Sequence, residues 1–116
     1  MISDFTEEGF AESDTAVLLQ ALGRQATGET IDAMSPWRFT APLSPDMAAA
    51  REGRTIDFVA LVDFCRQTIE DCSDKSDSTG ITLIEGVGGV MVPLTQTHTV
   101  LDWITELNIP SIIVVG

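Results

Sequence analysis

Basic residues are scarce in this sequence. Only 6 lysine and arginine side chains stand against 18 aspartate and glutamate side chains, which gives a formal net charge of −12. Proteins that bind nucleic acid neutralise phosphates with lysine and arginine, so this balance argues against a nucleic-acid partner. The single lysine, Lys75, lies in a run of small polar residues with no glycine framework before it, so it does not complete a phosphate-binding P-loop.

Long apolar runs and a secretory leader are also missing. No stretch approaches the roughly 18 continuous apolar residues that a membrane span needs. The N-terminal sequence MISDFTEEGF has no basic region followed by an apolar run, so we expect neither membrane insertion nor secretion. A helix through the 2 cysteines, Cys65 and Cys72, would hold them too far apart for a disulfide. We therefore expect free thiols and a cytoplasmic protein.

The length and composition are those of one globular domain. The chain has 116 residues, of which 44% are hydrophobic and 21% are charged. A disordered protein would have fewer apolar residues, and this length suits a single hydrophobic core.

Helical patterns alternate with polar segments along the chain. Ser13 is suited to an N-cap, and Gly23 and Gly53 are suited to helix ends. Residues 24–34 are predicted to be a polar connector, and the proline-rich residues 35–46 an extended loop. Helices are predicted over residues 16–22, over 46–52, over 55–72 with Thr55 as the cap, and over 99–107 opened by Thr99 or His98.

Two apolar runs indicate buried β-strands. ITLI, residues 81–84, and SIIVVG, residues 111–116, are apolar along most of their length, and residues 90–92 are predicted to add a short extended piece. Apolar strands separated by a helix are typical of a right-handed βαβ unit in a parallel sheet. The predicted fold class is α/β.

The sequence IEGVGGVMVPL, residues 84–94, suggests a binding site. Glu85 follows the first predicted strand, and ligands of open α/β sheets bind beyond the carboxyl ends of strands. Gly86, Gly88 and Gly89 permit a tight turn that brings backbone N–H groups close to an anion. A carboxylate beside an anion is consistent with Mg²⁺ between them, because Mg²⁺ takes one or two carboxylates together with phosphate oxygens. The alternative from spacing alone is a glycine-rich turn with an exposed glutamate.

Asp14 and His98 are further polar residues near predicted helix starts. An aspartate in a first turn usually stabilises the positive helix end, and a metal-binding Asp14 would need a partner, for which Glu85 is the candidate. His98, the only histidine, is expected to cap a helix or lie at the surface, because no serine or cysteine nucleophile setting accompanies it.

Five blocks occur in a specific order along the chain. They are ESDTAVLLQ, SPWRFTAPLSPDMAAAREGRTI, LIEGVGGVMVPL, DWITELNIP and SIIVVG. In this order they resemble the dethiobiotin synthetase family over almost all of the 116 residues. The EG-x-GG-x-x-x-PL part is also similar to partitioning-type and amidoligase ATPases, and the proline-rich block narrows the match to the synthetase. The resemblance implies an α/β fold with a P-loop NTPase-like parallel sheet and flanking helices.

The resemblance also implies an ATP-dependent ligase of biotin biosynthesis. Such a synthetase closes the ureido ring of dethiobiotin from 7,8-diaminononanoate, CO₂ and ATP, through a carbamate and a carbamic–phosphoric anhydride. Carried over by position, Asp14 and Glu85 would hold Mg²⁺, and Asp14, Glu85, Gly86, Val87 and Gly88 would bind ATP. The implied enzyme is a cytoplasmic homodimer that acts on small molecules and has no nucleic-acid or membrane partner.

The sequence departs from the family pattern at both ends. The P-loop ending in Lys-Thr, a second functional lysine and a substrate-binding serine should precede Asp14 and are absent, as are the segments expected after the VVG of residues 114–116. Residues 1–116 are therefore expected to form a single partial domain, the centre of a synthetase. We expect it to hold no catalytic residue and to be inactive alone. Asp46 stands where some members have histidine, and it is assigned no role.

Two alternatives stay open at this point. One is a non-catalytic dimerising or interaction module derived from the fold, and the other is a P-loop ATPase of the partitioning or cobyrinate-amidase kind. An in-frame GxxxxGKT upstream of the gene would favour the synthetase. A deviant Walker sequence without the second lysine would favour the other ATPase.

Overall fold

The helices of the chain fall into two compact units. The computed structural model describes Phe5, residues 9–73 and residues 80–116. One unit comprises Met1–Thr55 and the other Ile56–Gly116. A short 3₁₀ turn at Phe10–Glu12 precedes the α-helices, which are α1 (Asp14–Ala21), α2 (Gly28–Met34), α3 (Pro45–Arg51), α4 (Phe58–Ser73) and α5 (Val100–Leu107).

Helix α1 forms where its capping residues predict it. The Ser13 side chain accepts a hydrogen bond from the backbone N–H of Ala16 at 3.3 Å, and this satisfies one of the unpaired donors of the first turn. Gly23 follows the helix with a φ of +69°, a conformation that is cheap only for glycine. The helix turns Ala16 and Leu19 into the core of the first unit. The prediction of this helix is confirmed.

Helix α2 corrects the prediction of a polar connector over residues 24–34. Thr27 and Thr30 form a reciprocal capping box, in which each side chain bonds the other residue's backbone N–H. Only Ile31 of this helix is buried, so the segment lacks the repeated apolar face that predicts a helix. The start signal was present in the sequence, as a threonine followed three residues later by a second side chain that can return the bond.

The proline-rich loop supplies the largest buried side chain of the first unit. The chain runs without helix from Ser35 to Ser44, as predicted, and it buries Phe39 to 2% exposure. The Arg54 guanidinium lies 4.9 Å from the centre of the Phe39 ring. Glu52 accepts a 2.8 Å bond from the backbone N–H of Thr40, which together with Arg54 holds the pKa of that carboxyl below its usual value. The loop is thereby tied to the end of α3.

Helices α4 and α5 pack together in the second unit. The core residues of this unit come from both helices and from the segments that precede them: Ile56, Leu61, Val62, Cys65, Leu94, Val100 and Trp103. The predicted cap Thr55 is wrong, because the Asp57 side chain is the one that accepts from the backbone N–H of Ala60, at 3.0 Å. An exposed ion pair joins Arg66 to Glu106 at 3.0 Å, and pairs of this kind contribute little stability.

Neither predicted strand is formed among the described residues. Residues 81–84 and 111–116 have no ladder partner there, and residues 90–91 lie in a turn in place of the predicted extended piece. In residues 9–73 and 80–116, paired extended backbone is limited to isolated bridges, such as the antiparallel one between Pro93 and Thr99. The predicted parallel sheet is therefore not confirmed by this structure. Lys75 and most of the turn predicted over 73–80 lie outside the described residues.

The two thiols are expected to react at different rates because one of them is more deeply buried. Both cysteines are free, with Cys65 buried and Cys72 half-buried. Burial raises the pKa of the Cys65 thiol above its usual value. Because the thiolate is the reactive species, we expect Cys65 to react with a disulfide reagent at pH 8 at least about tenfold more slowly than Cys72. Stopped-flow traces should show two phases, of which Cys65→Ala removes the slow one. Equal rates for the two thiols would contradict this assignment.

No helix in the described part of the chain is both long enough and apolar enough to cross a membrane.

Candidate functional site

Glu85 lies at the start of a glycine-rich turn in the second unit. Its side chain is exposed, Gly86 follows it, and the turn runs from Val87 to Met91. Gly88 has a φ of +66°, and the backbone N–H of Val92 donates to the carbonyl of Gly89 at 3.0 Å. The carboxylate is therefore outside the core and lies next to a tight, glycine-rich turn. This arrangement matches the predicted turn, although no strand precedes it.

Backbone hydrogen bonds attach the glycine-rich turn to the start of α5. The backbone N–H of Val100 donates to the carbonyl of Val92 at 3.0 Å, and that of Leu101 donates to Val90 at 2.7 Å. A side chain at Gly86 would place its Cβ 3.4 Å from Val100 Cγ1. Val100 is buried, so the backbone at Gly86, next to Glu85, packs against a residue of the core.

Thr99 caps α5 through a reciprocal pair with Asp102. The Asp102 carboxylate accepts from the Thr99 backbone N–H at 2.7 Å, and the Thr99 hydroxyl accepts from the Asp102 N–H at 3.3 Å. These hydrogen bonds lower the pKa of Asp102, with the backbone bond from Thr99 as the largest cause. Thr99 is one of the two residues predicted to open this helix, and the T-x-x-D spacing is the sequence signal for its partner Asp102, which is not among the predicted residues.

His98 has a packing role between Phe58 and two threonines. Its ring stacks on Phe58 with centroids 4.0 Å apart, and its Nδ1 lies 3.1 Å from the hydroxyl of Thr95 and 3.0 Å from that of Thr97. His98 precedes the cap at Thr99, so the expected capping role is wrong, and the side chain is half-buried rather than fully at the surface. The histidine holds the turn that returns the chain from Leu94 to α5, because its carbonyl accepts from Leu94 at 2.8 Å.

Asp14 occupies the first turn of α1, in the first unit. Its side chain is exposed, and the preceding Ser13 provides the cap hydrogen bond of the helix. The next residue, Thr15, is buried and shares a 2.8 Å hydrogen bond with Ser35. The Asp14 carboxylate is thus available to a ligand and also well placed for the positive helix end. Asp14 belongs to the first unit and Glu85 to the second.

The donor chemistry of these positions suits a hard cation that keeps other ligands. No group of three histidine, cysteine, aspartate or glutamate side chains that could enclose a metal occurs within residues 9–73 and 80–116. Mg²⁺ does not need such a cage, because it is commonly held by one or two carboxylates together with phosphate oxygens and water. An exposed Glu85 beside a glycine-rich turn fits that requirement.

The left-handed backbone at Gly88 predicts a local stability effect. A Cβ there would lie 2.9 Å from Val92 Cγ2, and the φ of +66° disfavours any L side chain. We expect Gly88→Ala to lower the free energy of unfolding of the second unit by about 1–2 kcal/mol. Urea unfolding followed by Trp103 fluorescence measures this. The matched control is Gly89→Ala, where nothing lies within 4 Å, and an equal loss there would contradict the explanation.

Comparison with known proteins gives one family match and several long relatives. The family described as AAA domain matches residues 6–116. The ATP-dependent dethiobiotin synthetase of Methylobacterium nodulans is 46% identical over 115 residues, which cover 99% of this chain and 49% of the relative. The synthetase of Acidiphilium cryptum is 49% identical over 107 residues, 91% of this chain and 45% of the relative. That of Caulobacter vibrioides is 38% identical over 116 residues, 100% and 49% respectively.

The chain therefore spans about half the length of the curated relatives it matches. No solved structure matches it. The aligned region includes the glycine-rich turn, Glu85 and Asp14, since the first of these matches covers 99% of the chain.

Proposed function

This chain belongs to the AAA domain family, which matches residues 6–116, and from that premise we propose that it is a segment of an ATP-dependent dethiobiotin synthetase. The observation that carries the proposal is the 46% identity to a protein of that name over 99% of the chain. The family membership supports an α/β NTPase fold. Further identities of 49% and 38% with synthetases from two other bacteria support the same conclusion.

The proposed reaction closes a five-membered urea ring. One amino group of 7,8-diaminononanoate adds to CO₂ and loses a proton, which gives a carbamate. A carbamate oxygen then takes the γ-phosphoryl group of ATP, which releases ADP and leaves a carbamic–phosphoric anhydride. The second amine attacks the carbonyl carbon, and phosphate departs as the second C–N bond forms. Negative charge on phosphate oxygens changes in two steps, the phosphoryl transfer and the departure of phosphate. Fixed hydrogen-bond donors must stabilise that charge in both.

Glu85 and the turn after it are proposed to face the phosphates of ATP. The exposed carboxylate of Glu85 would hold the Mg²⁺ that accompanies ATP, and the backbone of Gly86, Val87 and Gly88 would lie against the nucleotide. When bound, Mg²⁺ neutralises charge on the phosphate oxygens. The support for this role is the tight turn, its attachment to buried Val100 and the absence of side chains at Gly86, Gly88 and Gly89.

Asp14 is proposed as a second Mg²⁺ ligand that also approaches ATP. Its exposed carboxylate at the start of α1 is compatible with a ligand role. The remaining support comes from the sequence, because Asp14 lies in the block ESDTAVLLQ that resembles the synthetases. Its contribution can be separated from that of Glu85 by mutating each residue alone.

Further properties of the whole protein are part of the same proposal. We propose that residues 1–116 form the central part of one domain, with the runs at 81–84 and 111–116 as strands of a parallel sheet. The complete protein would be a cytoplasmic homodimer. The isolated chain is proposed to be inactive, because its only lysine, Lys75, has no glycine framework for binding phosphate.

Replacement of the matching segment in a relative tests the proposed function. In this chimera the 115-residue aligned segment of the Methylobacterium nodulans synthetase is exchanged for the chain described here. We expect the chimera to form dethiobiotin from 7,8-diaminononanoate, CO₂ and ATP, with one ADP released per product, and the isolated chain to form none. A folded chimera that hydrolyses ATP without ring closure would reject the synthetase and favour another ATPase of the family.

A further inference from the structure

Two hydroxyl side chains are buried together at the start of α1. Thr15 is 3% exposed and Ser35 is 6% exposed. Their hydroxyl oxygens lie 2.8 Å apart and share a hydrogen bond, although the two residues are 20 positions apart in the sequence. The bond therefore joins the first turn of α1 to the residue that ends α2.

Stability alone does not account for this pair. Both hydroxyl groups lose water when they are buried, and the hydrogen bond between them offsets that loss with little net gain. Two apolar side chains of the same shape would fill the space about as stably. A hydrogen bond is directional, whereas apolar contact is not. The pair therefore fixes how the first turn of α1 is oriented relative to Ser35.

Ser35 is itself held on both sides of its backbone. Its N–H donates to the carbonyl of Ile31 at 2.8 Å, and its carbonyl accepts from Arg38 Nη1 at 2.9 Å. The Arg38 guanidinium is held in turn by an ion pair with Asp32. Ser35 is thus a fixed point to which the Thr15 side chain is attached.

We infer that Thr15 and Ser35 are positioning residues for the carboxylate of Asp14. Asp14 directly precedes Thr15, and successive residues of an α-helix are turned by about 100°, so a fixed Thr15 also fixes how the exposed Asp14 leaves the helix. Mg²⁺ demands near-ideal octahedral geometry, and loss of a hydrogen bond behind a metal ligand typically costs about 10- to 100-fold in affinity. The inference rests on the proposed role of Asp14 as an Mg²⁺ ligand.

A double substitution separates positioning from packing. Thr15→Val combined with Ser35→Ala removes both hydroxyl groups, so neither is left buried without a partner. We therefore expect the isolated chain with both changes to unfold at nearly the same urea concentration as the parent. Each single substitution leaves one hydroxyl buried without its partner and should lower the urea midpoint more than the double substitution does. Fluorescence of Trp37 follows the unfolding.

Hydrogen exchange reports the order of the helix start in the isolated chain. The backbone N–H of Val17 donates to the carbonyl of Ser13 at 3.0 Å in α1, and that of Ala48 donates to Ser44 at 2.8 Å in α3. In the double variant we expect the Val17 amide to exchange at least about tenfold faster and the Ala48 amide to keep its parental rate. Equal protection of Val17 in the variant and the parent would overturn the inference.

Metal affinity is measured with Mn²⁺ as the probe, in the chimera that carries this chain. Water-proton relaxation gives the dissociation constant of Mn²⁺·ATP when the diamine is left out. We expect the double variant to bind about tenfold more weakly, and Thr15→Ser, which keeps the hydroxyl, to bind within about twofold of the parent. The control is Thr68→Val, which should not alter the affinity, because that exposed hydroxyl bonds only the carbonyl of Phe64 in its own helix, at 2.8 Å.

Two results of these measurements would reject positioning. Parental affinity in a double variant whose urea midpoint is also parental would show that the pair serves packing alone. An Asp14→Asn chimera that binds Mn²⁺·ATP as tightly as the parent, beside a weakened double variant, would show that the pair acts on another group. If the double variant does not fold, Ser35→Ala alone gives the same comparison.

Activity separates this inference from the proposed function. A chimera that shows the expected changes in Mn²⁺·ATP affinity but does not close the ring would support positioning and reject the synthetase. A chimera that closes the ring at the same Mg²⁺ concentration with and without the two hydroxyls would support the synthetase and reject positioning. A parent chimera that binds no Mn²⁺·ATP would reject both.

Discussion

Replacement of Glu85 by glutamine in the chimera is expected to reduce ring closure at least about 100-fold. Glutamine keeps the size of the side chain but removes the negative charge that would hold Mg²⁺ near the phosphates, and the loss of one electrostatic contact to a transition state costs about 100- to 1,000-fold. Glu85 is exposed, so the substitution removes no buried contact. The measurement is the rate of dethiobiotin formation at saturating ATP, across a range of Mg²⁺ concentrations.

A matched substitution controls for the loss of one acidic charge. Glu70 is an exposed glutamate of α4 and is not part of the glycine-rich turn, so Glu70→Gln should leave the rate within about twofold. Glu85→Asp keeps the charge and should retain more activity than Glu85→Gln. Equal rates for the Glu85→Gln chimera and its parent would remove Glu85 from the proposed metal site.

Truncation of Phe39 to alanine is expected to have the largest effect on stability in the first unit. The ring is 2% exposed in the proline-rich loop and lies under the Arg54 guanidinium. Deletion of a buried aromatic side chain typically costs about 3–5 kcal/mol, because transfer energy is lost and the cavity closes only in part. Urea unfolding of the isolated chain, followed by the fluorescence of nearby Trp37, reports this loss.

Two further variants test whether the loss comes from burial of the Phe39 ring. Met47→Ala removes a large apolar side chain that is 55% exposed on α3, and it should change the free energy of unfolding by less than about 0.5 kcal/mol. Phe39→Leu keeps apolar volume and should recover much of the loss. If Met47→Ala and Phe39→Ala were equally destabilising, Phe39 would not be the anchor of the loop.

Local sequence signals account for most of the helices. Ser13 and Gly23 delimit α1, and Gly53 follows α3, because capping depends on one side chain or one permissive backbone position. Helix α2 was missed although its threonine pair is also local, since its single buried residue, Ile31, leaves no apolar period to detect. The cap of α4 was misassigned to Thr55 because two candidate residues, Thr55 and Asp57, stand within one turn of the helix start.

The residues proposed for the candidate site can be read from the sequence, but the contacts that hold the glycine-rich turn in place cannot. The pattern of Glu85 and glycines is visible in the sequence, and the turn forms where the glycines predict it. The contacts that hold the turn join residues that a linear pattern does not pair, such as Gly86 with Val100 and Val90 with Leu101. The same is true of His98, which precedes α5 and whose packing depends on Phe58 of α4.

By itself, the sequence determined the acidic charge, the capped helices, the glycine-rich turn and the family, because each depends on composition or on residues close together in the chain. Tertiary structure decided that Gly88 must be left-handed against Val92 and that Val100 is the buried support of the turn. It also decided that the apolar runs at 81–84 and 111–116 stay unpaired among the described residues. A strand propensity is local, whereas a sheet requires a neighbour, and hydrogen bonding to that neighbour is a property of the whole fold.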